Sequence, residues 1–111
     1  MDKIYSFLGL AAKARKVVIG ENLVEKSLKT NKVQIVILAL DSTYNTQKKI
    51  IDKCTYRGVD VRRCGEKSLI GKCIGKKNEV AVVAILDKNF AKGLVNLLDR
   101  YEKQNGGEAI G

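Results

Sequence analysis

Apolar residues fall at Ile4, Phe7, Leu8, Leu10 and Ala11, a spacing that follows the turn of an α-helix. It predicts a helix over residues 2–14. Lys13, Arg15 and Lys16 follow, and cations suit a helix C-terminus. The β-branched run Val17-Val18-Ile19 predicts a very short strand. Leu23, Val24, Ser27 and Leu28 predict a second helix ending near Thr30 and Asn31. Residues 33–40, VQIVILAL, form an almost unbroken apolar run, the mark of a strand covered on both faces. Asp41, Ser42 and Thr43 then form a cap cluster for a helix running to Arg57, stopped by Gly58. VDVRRC reads as a strand, residues 66–74 as a helix closed by Gly75, and VAVVAIL (80–86) as a second fully apolar strand. Asp87 caps a last helix carrying Phe90, Leu94, Leu97 and Leu98.

Strand and helix thus alternate four times, which predicts an α/β domain with helices on both faces of the sheet. The 111 residues suit one domain, expected over 1–104, and the glycine-rich end, 105–111, reads as a flexible tail. With 45% hydrophobic residues, 5% aromatics and no Trp, the core must be built from Ile, Val, Leu and Ala.

Charge adds a partner class. Lys and Arg number 21 against 12 Asp and Glu, a net charge of +9. Such an excess favours a polyanion, nucleic acid first and an anionic membrane surface second, with a solvated basic surface as the plain alternative; no membrane partner is expected. The chain has no His, which removes histidine bases and triads, and it has no phosphate-binding P-loop. Asp41 and Asp87 both follow buried strands, and helix capping explains them more simply than a catalytic pair. No enzyme, metal or cofactor is expected. Cys54, Cys64 and Cys73 lack metal-ligand spacing and read as small buried thiols in a reducing, cytoplasmic setting. A monomer is expected, since no apolar stripe stands out.

The stretch KVVIGENLVEK, residues 16–26, carries the most specific chemistry. A helix start leaves amide N–H groups unpaired and attracts anions. Gly20 has no Cβ and admits a close neighbour. Asn22 can both donate and accept, as base edges and sugars require. Lys26 lies at i+4 from Asn22, on the same helical face, and Lys16 is expected to flank the same end. A plain turn at Gly20 with Asn22 as helix cap explains the spacing equally well. The second stretch, residues 62–77, holds six basic residues against one acid, Glu66, with Lys76 and Lys77 in the loop before the last strand. Topology is expected to bring that loop near Gly20. Phe7 and Phe90 occupy core-facing positions, so a stacking platform for single strands is not expected. Shape, phosphate and base-edge contacts to structured RNA fit better.

Gly20-x-Asn22-x-x-x-Lys26, followed by Ile70-Gly71-Lys72-x-x-Gly75 ahead of an apolar strand, resembles the kink-turn RNA-binding family of archaeal and eukaryotic ribosomal proteins. It is most similar to that family's small bacterial, YlxQ-like branch, over roughly residues 3–100. The resemblance implies a three-layer α/β/α sandwich with a mixed four-stranded sheet. It also implies binding of kink-turns, sharply bent RNA helices with sheared G·A pairs, in ribosomal or regulatory RNA, with the ribosome among its settings. It makes Asn22 and Lys26 contact residues at a helix start that enters the groove, with Gly20, Glu21 and Leu23 beside them. Lys67 matches a basic RNA-contacting position, and the loop of Lys76, Lys77, Asn78, Glu79 and Val80 packs near the flipped-out base. Two positions depart from the family pattern. Leu23 stands where many members have Glu, and the loop at 76–79 is polar where theirs is often apolar. The rival expectation is an α/β module that binds a small phosphate compound at the same helix start.

Overall fold

A computed structural model describes residues 1–104; the expected tail at 105–111 lies outside the described residues. The elements are α1 (Asp2–Lys13), β1 (Val17–Ile19), α2 (Glu21–Leu28), β2 (Ile35–Leu38), α3 (Tyr44–Arg57), β3 (Asp60–Arg63), α4 (Lys67–Cys73), β4 (Val82–Ile85) and α5 (Lys88–Gln104). The sheet order is β1-β4-β2-β3. β2 and β3 are parallel, while β4 runs antiparallel to both of its neighbours, β1 and β2.

Period-two alternation sorts the apolar residues between two layers. Ile35, Ile37, Val83 and Ile85 pack with Ile4, Leu8, Leu94 and Leu98 under α1, α4 and α5. Val36, Leu38, Val82 and Ala84 pack with Val24, Leu28, Ile50 and Cys54 under α2 and α3. Both central strands are buried at every position, as their unbroken apolar runs predict. The result is the expected α/β/α sandwich with a mixed four-stranded sheet. The strands are shorter than the runs: Val33 and Gln34 precede β2, Ala39 and Leu40 leave it, and Val80 and Ala81 approach β4.

The reversed direction of β4 follows from the element before it. A parallel crossover needs a helix long enough to return the chain to the opposite sheet edge. Helix α4 has seven residues, about 10 Å of rise. Gly75, at φ 80°, then turns the chain back. The Val80 N–H donates to the Lys67 carbonyl (3.1 Å), so the chain regains the start of α4 and enters the sheet from the edge it had left.

The cysteines are free thiols, with Cys54 and Cys64 buried and Cys73 half-buried. Burial pushes Cys54 and Cys64 up to about 11, which keeps both protonated and unreactive. The Phe7 and Phe90 rings meet at 5.5 Å against the core, as their helical positions predict.

Candidate nucleic-acid interface

The strand directions gather one edge of the sheet into a continuous surface. The ends of β1, β2 and β3 and the beginning of β4 all lie there. Backbone hydrogen bonds mark the sequence across it. Gly20 N–H donates to Val82 O (2.9 Å), Ala39 N–H to Ala81 O (2.8 Å) and Leu40 N–H to Gly65 O (2.9 Å). Helices α2, α3 and α4 therefore all begin at this edge, and the 76–80 loop arrives beside Gly20. That proximity, expected from topology, is present: two residues of chain, at most about 7 Å, separate Val80 from Val82.

Gly20 is the N-cap of α2, at φ 99° and ψ 150°. That region is essentially closed to residues with a Cβ. The glycine is required by this backbone turn rather than by a close neighbour, since no atom lies within 4 Å of the place a Cβ would take. The alternative that Asn22 caps the helix is excluded: Asn22 is the second helical residue, and its side chain makes no hydrogen bond among the described residues. The amide N–H groups of Glu21, Asn22 and Leu23 also lack partners among the described residues, as expected at a helix start without a side-chain cap.

Helix α2 divides its surface into three stripes. Val24 and Leu28 are buried against the sheet. Glu21 and Glu25 face α3: Thr46 Oγ1 donates to Glu21 Oε1 (2.5 Å), Lys49 lies 2.7 Å from Glu21 Oε2, and Lys53 lies 3.1 Å from Glu25 Oε2. Asn22 and Lys26 are exposed on the remaining stripe, one turn apart. The Glu21 side chain thus does not cap α2; its carboxylate ties α2 to α3. The Lys49 and Thr46 bonds hold its pKa below the usual 4.5. A depressed carboxylate contributes stability above its unfolded pKa and loses it as pH falls through the folded value. Acid titration of unfolding should show Glu21→Gln less stable than the parent at neutral pH and the two converging as pH falls through the lowered Glu21 value.

The loop before β4 is pinned at both ends. Lys76 N–H donates to Gly71 O (2.8 Å), and Val80 N–H donates to Lys67 O (3.1 Å). Between these bonds the Asn78 backbone lies directly on Gly71, where a Cβ would strike the Asn78 carbonyl oxygen. Lys76, Lys77, Asn78 and Glu79 are exposed and Val80 is buried. The start of α4 is held in turn by Asp41, whose Oδ1 accepts the Lys67 N–H (2.9 Å), and by the Tyr5 hydroxyl, which accepts the Glu66 N–H (3.0 Å). Asp41 was expected to cap the helix that follows it; Thr43 does so instead, accepting from Thr46 N–H, while Asp41 reaches across the edge to α4. Asp87 caps α5 as expected, accepting from Phe90 N–H (2.9 Å).

Lys16 is not part of this edge. It precedes β1 at the other end of the strand, roughly 13 Å from Gly20 at about 3.3 Å per residue, and its carbonyl accepts the Leu86 N–H. Conversely, the edge exposes residues that the sequence pattern did not single out. Tyr44, the first residue of α3, is 75% exposed, and Leu40 and Leu69, like Leu23, are exposed apolar residues. Leu40 ends an apolar run and reads as core. Only the cap at Thr43 could have marked Tyr44 as lying at a helix start.

Residues 2–95 match the sequence model of the Ribosomal protein L7Ae/L30e/S12e/Gadd45 family. The RNA-binding protein YlxQ of Bacillus subtilis (strain 168) is 43% identical over 95 residues, covering 86% of this chain and 94% of that protein. The RNA-binding protein YlxQ of Enterococcus faecium is 34% identical over 98 residues, covering 88% and 93%. Among solved structures, a protein of unknown function from Bacillus halodurans C superposes with a TM-score of 0.83 at 38% identity, covering 87% of this chain and 97% of that one. The Giardia lamblia 15.5kD RNA binding protein shares the fold, with a TM-score of 0.75 at 18% identity over 89% and 84% of the two chains. On the family match and the two YlxQ relatives, the chain belongs to the Ribosomal protein L7Ae/L30e/S12e/Gadd45 family, in a YlxQ-like branch.

Proposed function

We propose that the protein is a non-enzymatic, monomeric, cytoplasmic RNA-binding protein that recognises a kink-turn or a similarly bent element of ribosomal or regulatory RNA. One observation carries this reading: the open first turn of α2, with Asn22 and Lys26 exposed, lies beside a basic loop fixed at both ends. Unpaired N–H groups and Asn22 address base edges, while Lys26, Lys67, Lys76 and Lys77 address phosphates. Gly20 leaves the approach open, and Leu23, Asn78, Glu79 and Val80 shape the walls. The relatives named for RNA binding support the partner class. The rival small-phosphate reading gains nothing, since Asn22, Lys26 and the loop at 76–79 are exposed rather than enclosed.

The decisive comparison uses a minimal kink-turn RNA and the same RNA with its sheared G·A pairs replaced by Watson–Crick pairs. At about 150 mM salt, non-selective charge binding is partly screened. The kink-turn should bind at least about tenfold tighter, roughly 1.4 kcal/mol, and equal affinities would remove kink-turn recognition. Asn22→Ala should reduce that preference by about 1–3 kcal/mol with little change in salt dependence. Lys76→Ala should instead weaken every RNA alike and lower the salt slope by about one unit. A selective loss from Lys76→Ala would reverse the two assignments.

A further inference from the structure

The edge of the sheet opposite Gly20 is also basic, and nothing in the proposed kink-turn site uses it. Lys16 O accepts the Leu86 N–H (2.8 Å) and Gln34 N–H donates to Ile85 O (2.8 Å), so the segments entering β1 and β2 flank the segment leaving β4. Strand spacing places the two flanks about 10 Å apart. Lys13, Arg15, Lys16, Lys29, Lys32 and Lys88 all belong to these connections or to the helix ends feeding them, and Lys13, Arg15, Lys16, Lys29, Lys32 and Lys88 are exposed. No ion pair engages any of them among the described residues. The acids near them are engaged elsewhere: Asp60 pairs with Arg62 at 3.4 Å, Asp87 Oδ2 caps α5, and Glu25 and Asp52, which line a pocket with Lys29, pair with Lys53 and Lys48.

Lys13 and Lys29 also suit the C-termini of their helices. Arg15 is not explained that way. Arg15 N–H donates to Ala12 O and Lys16 N–H to Ala11 O, the paired bonds of a Schellman turn, with Arg15 at φ 60°. Glycine is the least strained residue at that position. An arginine held there in left-handed backbone, on an edge of unpaired cations, points to a role outside folding.

We propose that this second edge binds the phosphate backbone of a helical RNA segment while the Gly20 edge holds its own target, so that the domain bridges two RNA elements. A duplex presents many phosphates over the span of this edge, and matching it needs only spaced cations, not base-edge donors. The proposal needs RNA binding but not the assignment of Asn22.

The test uses a labelled blunt RNA duplex without a kink-turn, alone and in the presence of saturating minimal kink-turn RNA. The parent protein should bind the duplex in both cases and form a ternary complex with the kink-turn RNA. The triple variant Arg15→Gln/Lys16→Gln/Lys32→Gln should bind the duplex about tenfold or more weakly, with its log-log salt slope lower by about 2–3, and bind the kink-turn as before. Arg15→Gly alone should weaken duplex binding while leaving Tm unchanged or higher, an outcome a structural arginine would not give. Complete competition of the duplex by kink-turn RNA, or an unaltered slope in the triple variant, would overturn the second surface. If kink-turn preference itself fails, the duplex titration of parent and triple variant still decides this proposal.

Discussion

Leu38→Ala should lower the free energy of unfolding by about 2–5 kcal/mol, read by denaturant titration. Leu38 is fully buried at the end of β2, between β4 and β3, and packs in the layer of Val24, Ile50 and Val82 under α2 and α3. Its carbonyl also accepts the Cys64 N–H at 3.0 Å, which fixes the backbone and limits collapse into the space left by the truncated side chain. Small domains hold only about 5–15 kcal/mol in total, so this one change removes a large share. RNA affinity of the folded fraction should stay unaltered, because the Leu38 side chain is fully buried under α2 and α3 and offers no atom to a partner at the edge. A loss under about 1 kcal/mol would mean the layer refills the space.

Gly71→Ala should damage both fold and binding. The added methyl meets the Asn78 carbonyl oxygen on one side and is fixed on the other to the buried face of α4, which Ile70 and Gly71 form. Overpacking of this kind costs about 1–3 kcal/mol. The least expensive relief is to lift the 76–80 loop, which breaks the Lys76–Gly71 and Val80–Lys67 hydrogen bonds. RNA binding should therefore fall more than stability alone explains, with the loss seen on the kink-turn and on the Watson–Crick control alike. Retained affinity in a destabilised protein would show that the loop contributes nothing to recognition.

The two buried strands, the helix starts and stops, and the glycines at 20, 58 and 75 were legible because each rests on local pattern: apolar runs, caps and forced turns. What escaped the sequence depends on contacts across the sheet edge. Asp41 reads as a cap for the nearest helix, yet serves one that begins 26 residues later. Glu21 sits inside the motif and reads as a contact residue, but its partners Thr46 and Lys49 lie on a different helix. Lys16 is near Gly20 in sequence, and an extended strand carries it to the opposite edge. Gly71 belongs to the second motif, but the contact that requires a glycine there, the backbone of the returning loop, does not show in local pattern.

The fixed loop has a consequence for the kinetics of association. A segment held at both ends and laid on a helix has little freedom left to lose when a partner arrives. Proteins that order a loop on binding lose affinity to that ordering, whereas a surface already in shape does not. Encounter should then be governed by charge, with on-rates that fall steeply with added salt. Discrimination between correct and incorrect RNAs should appear mainly in how slowly the complex falls apart.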